Sequence, residues 1–417
     1  MRHLNLEQRI RLFWIASLAL VASPAAAQET AYFADVTATH MPSAPQVHIL
    51  DFELGDMDGD GDLDAVGAVE YGVNRLYLND GTGRFTWKEG AFSDNSYDSE
   101  EVELGDFDGD GHLDVVFIAE DDASPELYLG NGDGTFRDVT DRLPGRSVAN
   151  DGQVADLDGD GHLDLIISST GGSRDSGAPA WQTIQQNFFW RGDPARPGYF
   201  IDETATRLPT INDASQDTKF GDLDGDGDLD MVVGNEVPPN RILINQGDGV
   251  FAEEPDRLDL PEPLETREVQ LFDADGDGDL DIFFSNLTSN AREWEKNPQV
   301  RLLINDGTGH FTDETDFRLP TNTFSSYDAG FLDVDADGDL DLFVCAVQIP
   351  SFSPLQVRAY LNDGTGDFTD ATGEVIPSET VGRCWDVESA DLDGDGTLDV
   401  IIGGWRTQAR LLLGKKK

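Results

Sequence analysis

Basic residues are scarce. The chain carries 28 Lys and Arg against 82 Asp and Glu in 417 residues, a formal charge of −54. A nucleic-acid binder needs clustered cations to neutralise phosphates, so this balance argues against that class and against docking on an anionic membrane surface. Histidine is also rare: six in all, two of them inside acidic runs and one near the N-terminus. No Ser-His-Asp or Cys-His set, nucleophile elbow or phosphate-cradling glycine loop stands out. Carboxylates are so abundant that glycosidase chemistry stays open, because two Asp or Glu at the right separation suffice. Cysteine is limited to Cys345 and Cys384. Both fall on strand-like segments of neighbouring repeats, and sequence alone leaves their bridging open. Beyond residue 27 there is no apolar run long enough to span a bilayer and no helical periodicity. Yet hydrophobic residues make up 38%, too many for a disordered acidic chain.

The N-terminus is the one basic, apolar segment. "MRHLNLEQRIR" precedes "LFWIASLALVAS" and a small-residue "AAA" at 25–27. This predicts a signal peptide over 1–27 with cleavage before Gln28, and an exported protein that is secreted, periplasmic or held at the cell surface. Its removal takes away three Arg and one Glu and leaves −56.

The acid is not spread evenly. Residues 56–64 read "DMDGDGDLD", and the pattern returns at 106–114, 156–164, 222–230, 273–281, 333–341 and 391–399. Successive first aspartates are 50, 50, 66, 51, 60 and 58 residues apart. A unit repeated at this period means a repeat architecture. Around the first copy, "HILDFEL" (48–54), "LDAVGAVE" (63–70), "NRLYLN" (74–79) and "RFTW" (84–87) read as four strands, with "DGTG" (80–83) as a hairpin turn between the last two. The order recurs in each unit. It predicts an all-β fold, a seven-bladed β-propeller of four-stranded antiparallel blades. The last repeat stops at "RLLLGKKK" without its fourth strand, and the N-terminal "YFADVT" (32–37) matches the missing piece. An N-terminal strand completing the last blade would close the ring and remove an open edge. The expected domains are the signal peptide 1–27, a single propeller 28–414 and a basic tail 415–417.

Like charges at alternate positions beside a core strand need a counter-ion. Calcium takes six to eight hard oxygen ligands from a compact loop. In D-x-D-G-D-G-x-L-D, positions 1, 3, 5 and 9 offer carboxylates, the glycine at 6 permits the turn, and the variable position 7 offers its carbonyl. The expected calcium ligands are Asp56, Asp58, Asp60, Asp62 and Asp64; Asp106, Asp108, Asp110, His112 and Asp114; Asp156, Asp158, Asp160, His162 and Asp164. They continue with Asp222, Asp224, Asp226, Asp228 and Asp230; Asp273, Asp275, Asp277, Asp279 and Asp281; Asp333, Asp335, Asp337, Asp339 and Asp341; and Asp391, Asp393, Asp395, Thr397 and Asp399. Seven divalent ions would bring −56 to −42. Magnesium tolerates such crowded carboxylate cages poorly.

These loops, their apolar flanks and the closing "NDGTG-F-x-D-x-T" resemble FG-GAP/VCBS repeats, the calcium-binding blades of integrin α-subunit propellers and of many secreted bacterial proteins. The resemblance covers about residues 31–413. It implies a calcium-bearing propeller with an extracellular binding or adhesion role toward a glycan or protein ligand, as a monomer. The family also includes propeller polysaccharide lyases, so a carbohydrate-active enzyme is the alternative; nothing singles out a catalytic residue.

Strand order puts the acidic loops and DGTG turns on one face and the irregular insertions on the other. Those insertions hold Trp181, Trp294, Phe352 and Trp405. Trp181, Trp294 and Trp405 are candidates for stacking on sugar rings; the plainer role is to plug gaps between blades. Five residues before each loop stands an acid: Asp51, Glu101, Asp151, Asp217, Glu268, Asp328 and Asp386. They would ring a central channel. They serve either a cationic ligand or, as expected from the usual behaviour of buried acids, a pair in each blade with the Arg that opens most third strands (Arg75, Arg241, Arg301, Arg358, Arg410).

Overall fold

A computed structural model describes residues 32–120, 125–170, 185–237, 239–260, 264–287, 298–349 and 351–416. The signal-peptide segment, Trp181 and Trp294 lie outside these residues. The protein is all-β, built mostly of four-stranded antiparallel sheets. The first is Ile49–Gly55, Asp64–Val69, Arg75–Asn79 and Phe85–Trp87 in sequential order. The same order recurs from Ser99, Ala149, Ser215, Thr266 and Ala329. The last unit has Cys384–Ala390, Asp399–Gly404 and Arg410–Gly414. Its outer edge is taken by Phe33–Asp35, which pairs antiparallel with Arg410–Gly414 in the register Phe33↔Gly414.

Every second strand follows an acidic loop and is buried along its whole length, as in Asp64–Val69 and Asp114–Ala119. The reason is packing on both faces. Val66 and Ala68 of one sheet meet Val115 and Phe117 of the next, and Val116 and Ile118 meet Leu165 and Ile167. Further clusters join each later pair, and one sets Ile401 and Leu411 of the last unit against Phe52 and Tyr77 of the first. The core is thus divided among inter-sheet layers, each supplied by the apolar run behind an acidic loop. A fully buried Phe such as Phe343 contributes about 1.5–3 kcal/mol.

The helix-free expectation needs a small correction. Single helical turns, Thr37–His40, Thr204–Arg207, Thr315–Arg318 and Thr372–Val375, follow the fourth strands. Four residues are too few to show a 3.6-residue periodicity. The D-x-T motif makes them. Asp202 Oδ1 accepts the Thr204 N–H at 3.0 Å, and Thr204 Oγ1 accepts Phe189 N–H of the third strand at 2.9 Å. Asp313 with Thr315 and Asp370 with Thr372 repeat this. The N-terminal segment supplies the same device to the last unit, through Asp35 and Thr37, whose Oγ1 accepts Leu411 N–H at 2.9 Å.

Cys345, beside strand Asp341–Val344, and Cys384, which opens the last unit, are joined by a buried disulfide across 39 residues.

Candidate metal loops and central cavity

Each acidic loop is organised from its last aspartate. Asp64 is fully buried; Oδ2 accepts Met57 N–H at 3.0 Å and Oδ1 accepts Asn79 N–H of the third strand at 2.9 Å. The same pair of bonds holds Asp114, Asp164, Asp230, Asp281, Asp341 and Asp399. Position 9 therefore ties the loop to two strands. Burial pushes Asp64, Asp230 and Asp399 up to about 6, and Asp114, Asp164, Asp281 and Asp341 up to about 7. Position 1 folds the turn: Asp56 accepts Gly59 and Gly61 N–H at 2.8 and 3.1 Å. Gly61 has φ +95°, a backbone state that glycine adopts without strain.

Positions 1, 3 and 9 converge. One oxygen from each of Asp56, Asp58 and Asp64 lies within 4.8 Å of the other two, as do those of Asp106, Asp108 and Asp114, of Asp156, Asp158 and Asp164, and of Asp222, Asp224 and Asp230. Position 3 carries the sharpest signal. Asp58, Asp108, Asp224 and Asp275 each keep a shielded Oδ1 with no hydrogen-bond partner. A buried carboxylate oxygen left this way costs about 1–3 kcal/mol, unless a cation takes it. The residues fit a hard divalent ion such as calcium.

Position 5 is exposed in the first six loops, and Asp60, Asp110 and Asp160 each accept the position-7 N–H at 2.9–3.1 Å. Position 7 side chains turn away from the triads. Asp62, His112, Asp279 and Asp339 lie over the first glycine of a hairpin turn, where a Cβ on Gly81, Gly132, Gly307 or Gly364 would collide with them.

Three arginines escaped the sequence reading. Arg207 bonds Asp158 Oδ2 at 2.8 Å, Arg257 bonds Asp224 at 3.2 Å and Arg318 bonds Asp275 at 3.3 Å. Each also holds a glutamate three or four residues earlier, and Arg257 reaches Thr308 O in the next unit's turn at 2.6 Å. The signal was present in "ETATR", "EEPDR" and "ETDFR". The turn asparagines do the same work between units: Asn245 Nδ2 donates to Leu157 O at 3.1 Å and Asn305 to Leu223 O at 2.9 Å, while Asn79 donates to Leu392 O of the last unit at 2.8 Å.

Trp405 is half-buried. Its Nε1 donates to Glu70 Oε2 of the first unit at 2.7 Å, and its ring lies near Phe352, Trp385 and His48. These contacts suit the plug role.

The seven acids do not pair with the third-strand arginines. Arg241 binds Asp213 and Glu253, Arg301 binds Asp313, Arg410 binds Asp35, and Arg75 lies over Trp87. Five of the seven acids, Asp51, Glu101, Glu268, Asp328 and Asp386, instead line a cavity of about 360 Å³, where Asn150 and Gln216 stand in the lining before buried Asp151 and Asp217. Several bridge neighbouring sheets: Asp51 accepts Val102 N–H at 2.8 Å, Asp217 accepts Val269 N–H at 2.6 Å, Asp328 accepts Val387 N–H at 2.8 Å and Asp386 accepts Phe52 N–H at 3.1 Å. Sequence reasoning missed the bulge that precedes the acid. The register slips between Ile49 and Asp51, Ser99 and Glu101, Ala149 and Asp151, Ser215 and Asp217, and Thr266 and Glu268. An extra residue re-aims its neighbours, so Glu100 and Glu101 both line the cavity.

Comparison with known proteins bears on both sites. A model of the FG-GAP-like repeat matches residues 56–117, 106–167, 222–284, 290–344 and 346–402. Human (Homo sapiens) cartilage acidic protein 1 is 26% identical over 189 residues, 44% of this chain. The match spans only 27% of that protein's length. Among solved structures, BBS1N crystallised in complex with ARL6DN and soaked with mercury has a TM-score of 0.55 at 10% identity, covering 94% of this chain and 99% of that one. The lead-soaked crystal gives 0.52 at 11%, covering 92% and 97%. At such identity the likeness is one of fold.

Proposed function

The chain belongs to the FG-GAP-like repeat family, and on that premise we propose that it is an exported, calcium-stabilised propeller of seven blades that binds an extracellular glycan or protein. Repeats and fold fit an interaction module. In this reading residues 28–414 close into one ring. Closure is supported by the pairing of Phe33–Asp35 with Arg410–Gly414, the Asn79–Leu392 bond and the cluster of Ile401 and Leu411 with Phe52 and Tyr77. Export agrees with the Cys345–Cys384 disulfide, a bond that oxidising compartments preserve. No helix of the described residues is long and apolar enough to cross a membrane.

The observation that carries the calcium reading is the shielded, unpartnered Oδ1 of Asp58, Asp108, Asp224 and Asp275 at position 3, beside the carboxylates of positions 1 and 9. The ion would neutralise these oxygens and fasten the loop between its two strands, leaving a rigid scaffold. The insertion loops with Trp181 and Trp294 are the proposed ligand face. Protein binding has its own support, since the structural neighbour was crystallised in complex with ARL6DN.

The test is incubation with a panel of soluble polysaccharides, following depletion and the absorbance of unsaturated products, with calcium and with chelator. Depletion without product, lost on chelation and in Trp181→Ala or Trp294→Ala, is the expected result. New absorbance would make it a lyase. Silence in both channels would move the proposal to a protein ligand.

A further inference from the structure

The central cavity has chemistry of its own, apart from the metal loops and the insertion loops. Two tiers of side chains face it from the first strands. The upper tier holds five of the seven acids, Asp51, Glu101, Glu268, Asp328 and Asp386; the lower, two residues further on along the strands, holds Glu53, Glu103 and Glu388 with Gln153, Gln270 and Lys219. Residues i and i+2 of a strand point the same way about 6.6–6.8 Å apart. Among the described residues two cations line the cavity: Lys219, engaged by Glu268 at 3.1 Å and Asp217 at 3.3 Å, and Arg267, engaged by Glu265 at 3.5 Å. On the first strands of the last, first and second units, Asp386, Glu388, Asp51, Glu53, Glu101 and Glu103 line the cavity with no described Lys or Arg within salt-bridge distance. Tyr327 and Trp385, which also line it, stack at 3.5 Å.

A second observation points to a missing partner. Asp51, Asp217, Asp328 and Asp386 each place Oδ2 on a backbone N–H of the next sheet. Asp151, on the same side of its strand as cavity-lining Gln153, is 2% exposed, and its Oδ2 has no hydrogen-bond partner. The cavity is far larger than one metal ion needs. Glu70 and Glu100 of the lining converge with Asp98 in a triad that fits one small ion, but the other acids are spread over two tiers, and the lining includes an aromatic pair, a surface that attracts ammonium groups and covers alkyl chain.

We propose that this cavity binds a linear organic polycation of the polyamine class, with ammonium groups set on the two carboxylate tiers and the alkyl chain passing Tyr327 and Trp385. Burial, which holds Glu53 up at about 7 and Asp151 at about 8, agrees with a site short of positive charge.

The test is calorimetric titration of the calcium-loaded chain with spermidine, with butylamine and magnesium as charge controls. Saturable one-to-one binding of spermidine is expected, at least tenfold weaker in Glu53→Gln/Glu103→Gln and in Glu388→Gln. Asp316→Asn/Glu379→Gln, at two exposed acids, should leave it unchanged. Lys219→Met removes the resident ammonium and should tighten binding severalfold, a gain that misfolding cannot imitate. Absence of saturable heat, equal loss in the exposed-acid variant, or magnesium binding as tightly as spermidine would each overturn the proposal.

Discussion

Asp58→Asn separates a metal-loop role from a plain structural one. Asp58 Oδ1 is shielded and has no hydrogen-bond partner, and among the described residues no ion pair fixes Asp58 as Arg207 fixes Asp158. Burial, then the neighbouring Asp60, holds its carboxyl above the usual range. Without metal this oxygen costs about 1–3 kcal/mol, so neutralising it should stabilise the protein by about 1 kcal/mol. With calcium present the same change removes a charged ligand. A ten- to hundredfold loss of affinity is about 1.4–2.7 kcal/mol in the opposite direction. At about 2.1 cal/mol/K of unfolding entropy per residue, a cooperative unit of ~390 residues moves by about 1.2 °C per kcal/mol. The apo gain and the affinity loss add, so in calcium the net change is about 0.4–1.7 kcal/mol of destabilisation. Scanning calorimetry should therefore show the variant about 1 °C above the parent in chelator and about 0.5–2 °C below it in calcium. Asp64→Asn should behave differently, because both its oxygens accept buried N–H groups, and it should melt lower in both buffers. If Asp58→Asn is destabilised equally with and without calcium, Oδ1 has a structural partner and the metal reading of the loop fails.

Ala336 stands at φ +61° where the other six loops have glycine; Ala336→Gly should relieve about 1 kcal/mol of left-handed strain and raise the melting temperature by about 1 °C, and a fall would refute the strain. Replacing Cys345 and Cys384 by Ala together opens a 39-residue loop, worth about 4 kcal/mol on chain entropy; urea midpoints should drop accordingly, and an unchanged midpoint would remove the bridge from the stability account. The cavity acids give a pH signature. Burial raises Asp328 to about 6, Glu53 to about 7 and Asp151 to about 8, so the folded state holds more protons than the unfolded chain and stability falls as pH rises from about 4, the ordinary carboxyl range, to about 8. In saturating calcium, Glu53→Gln/Asp151→Asn should flatten that fall, whereas identical slopes in variant and parent would contradict it.

Much of this protein is local. The D-x-D-G-D-G-x-L-D loops, the apolar runs behind them and the DGTG turns are each set within about ten residues, and strands, turns and candidate metal carboxylates could be read from them. Even the N-terminal edge strand was legible, because "FADVT" repeats the fourth-strand motif that the last unit lacks. What sequence left open depends on groups far apart in the chain. Whether Cys345 meets Cys384 is a question of sheet packing. The reach of Arg257 into the next unit's turn depends on how sheets stack. The acid ring was visible as a spacing, but its partners were not. Bulges before Asp51, Glu101, Asp151, Asp217 and Glu268 bring the acid, the residue before it, or both to a shared cavity, while Arg241, Arg301 and Arg410 are taken by acids on neighbouring strands. Periodicity fixes which side of a strand a residue occupies; only the assembled sheets decide what stands opposite it.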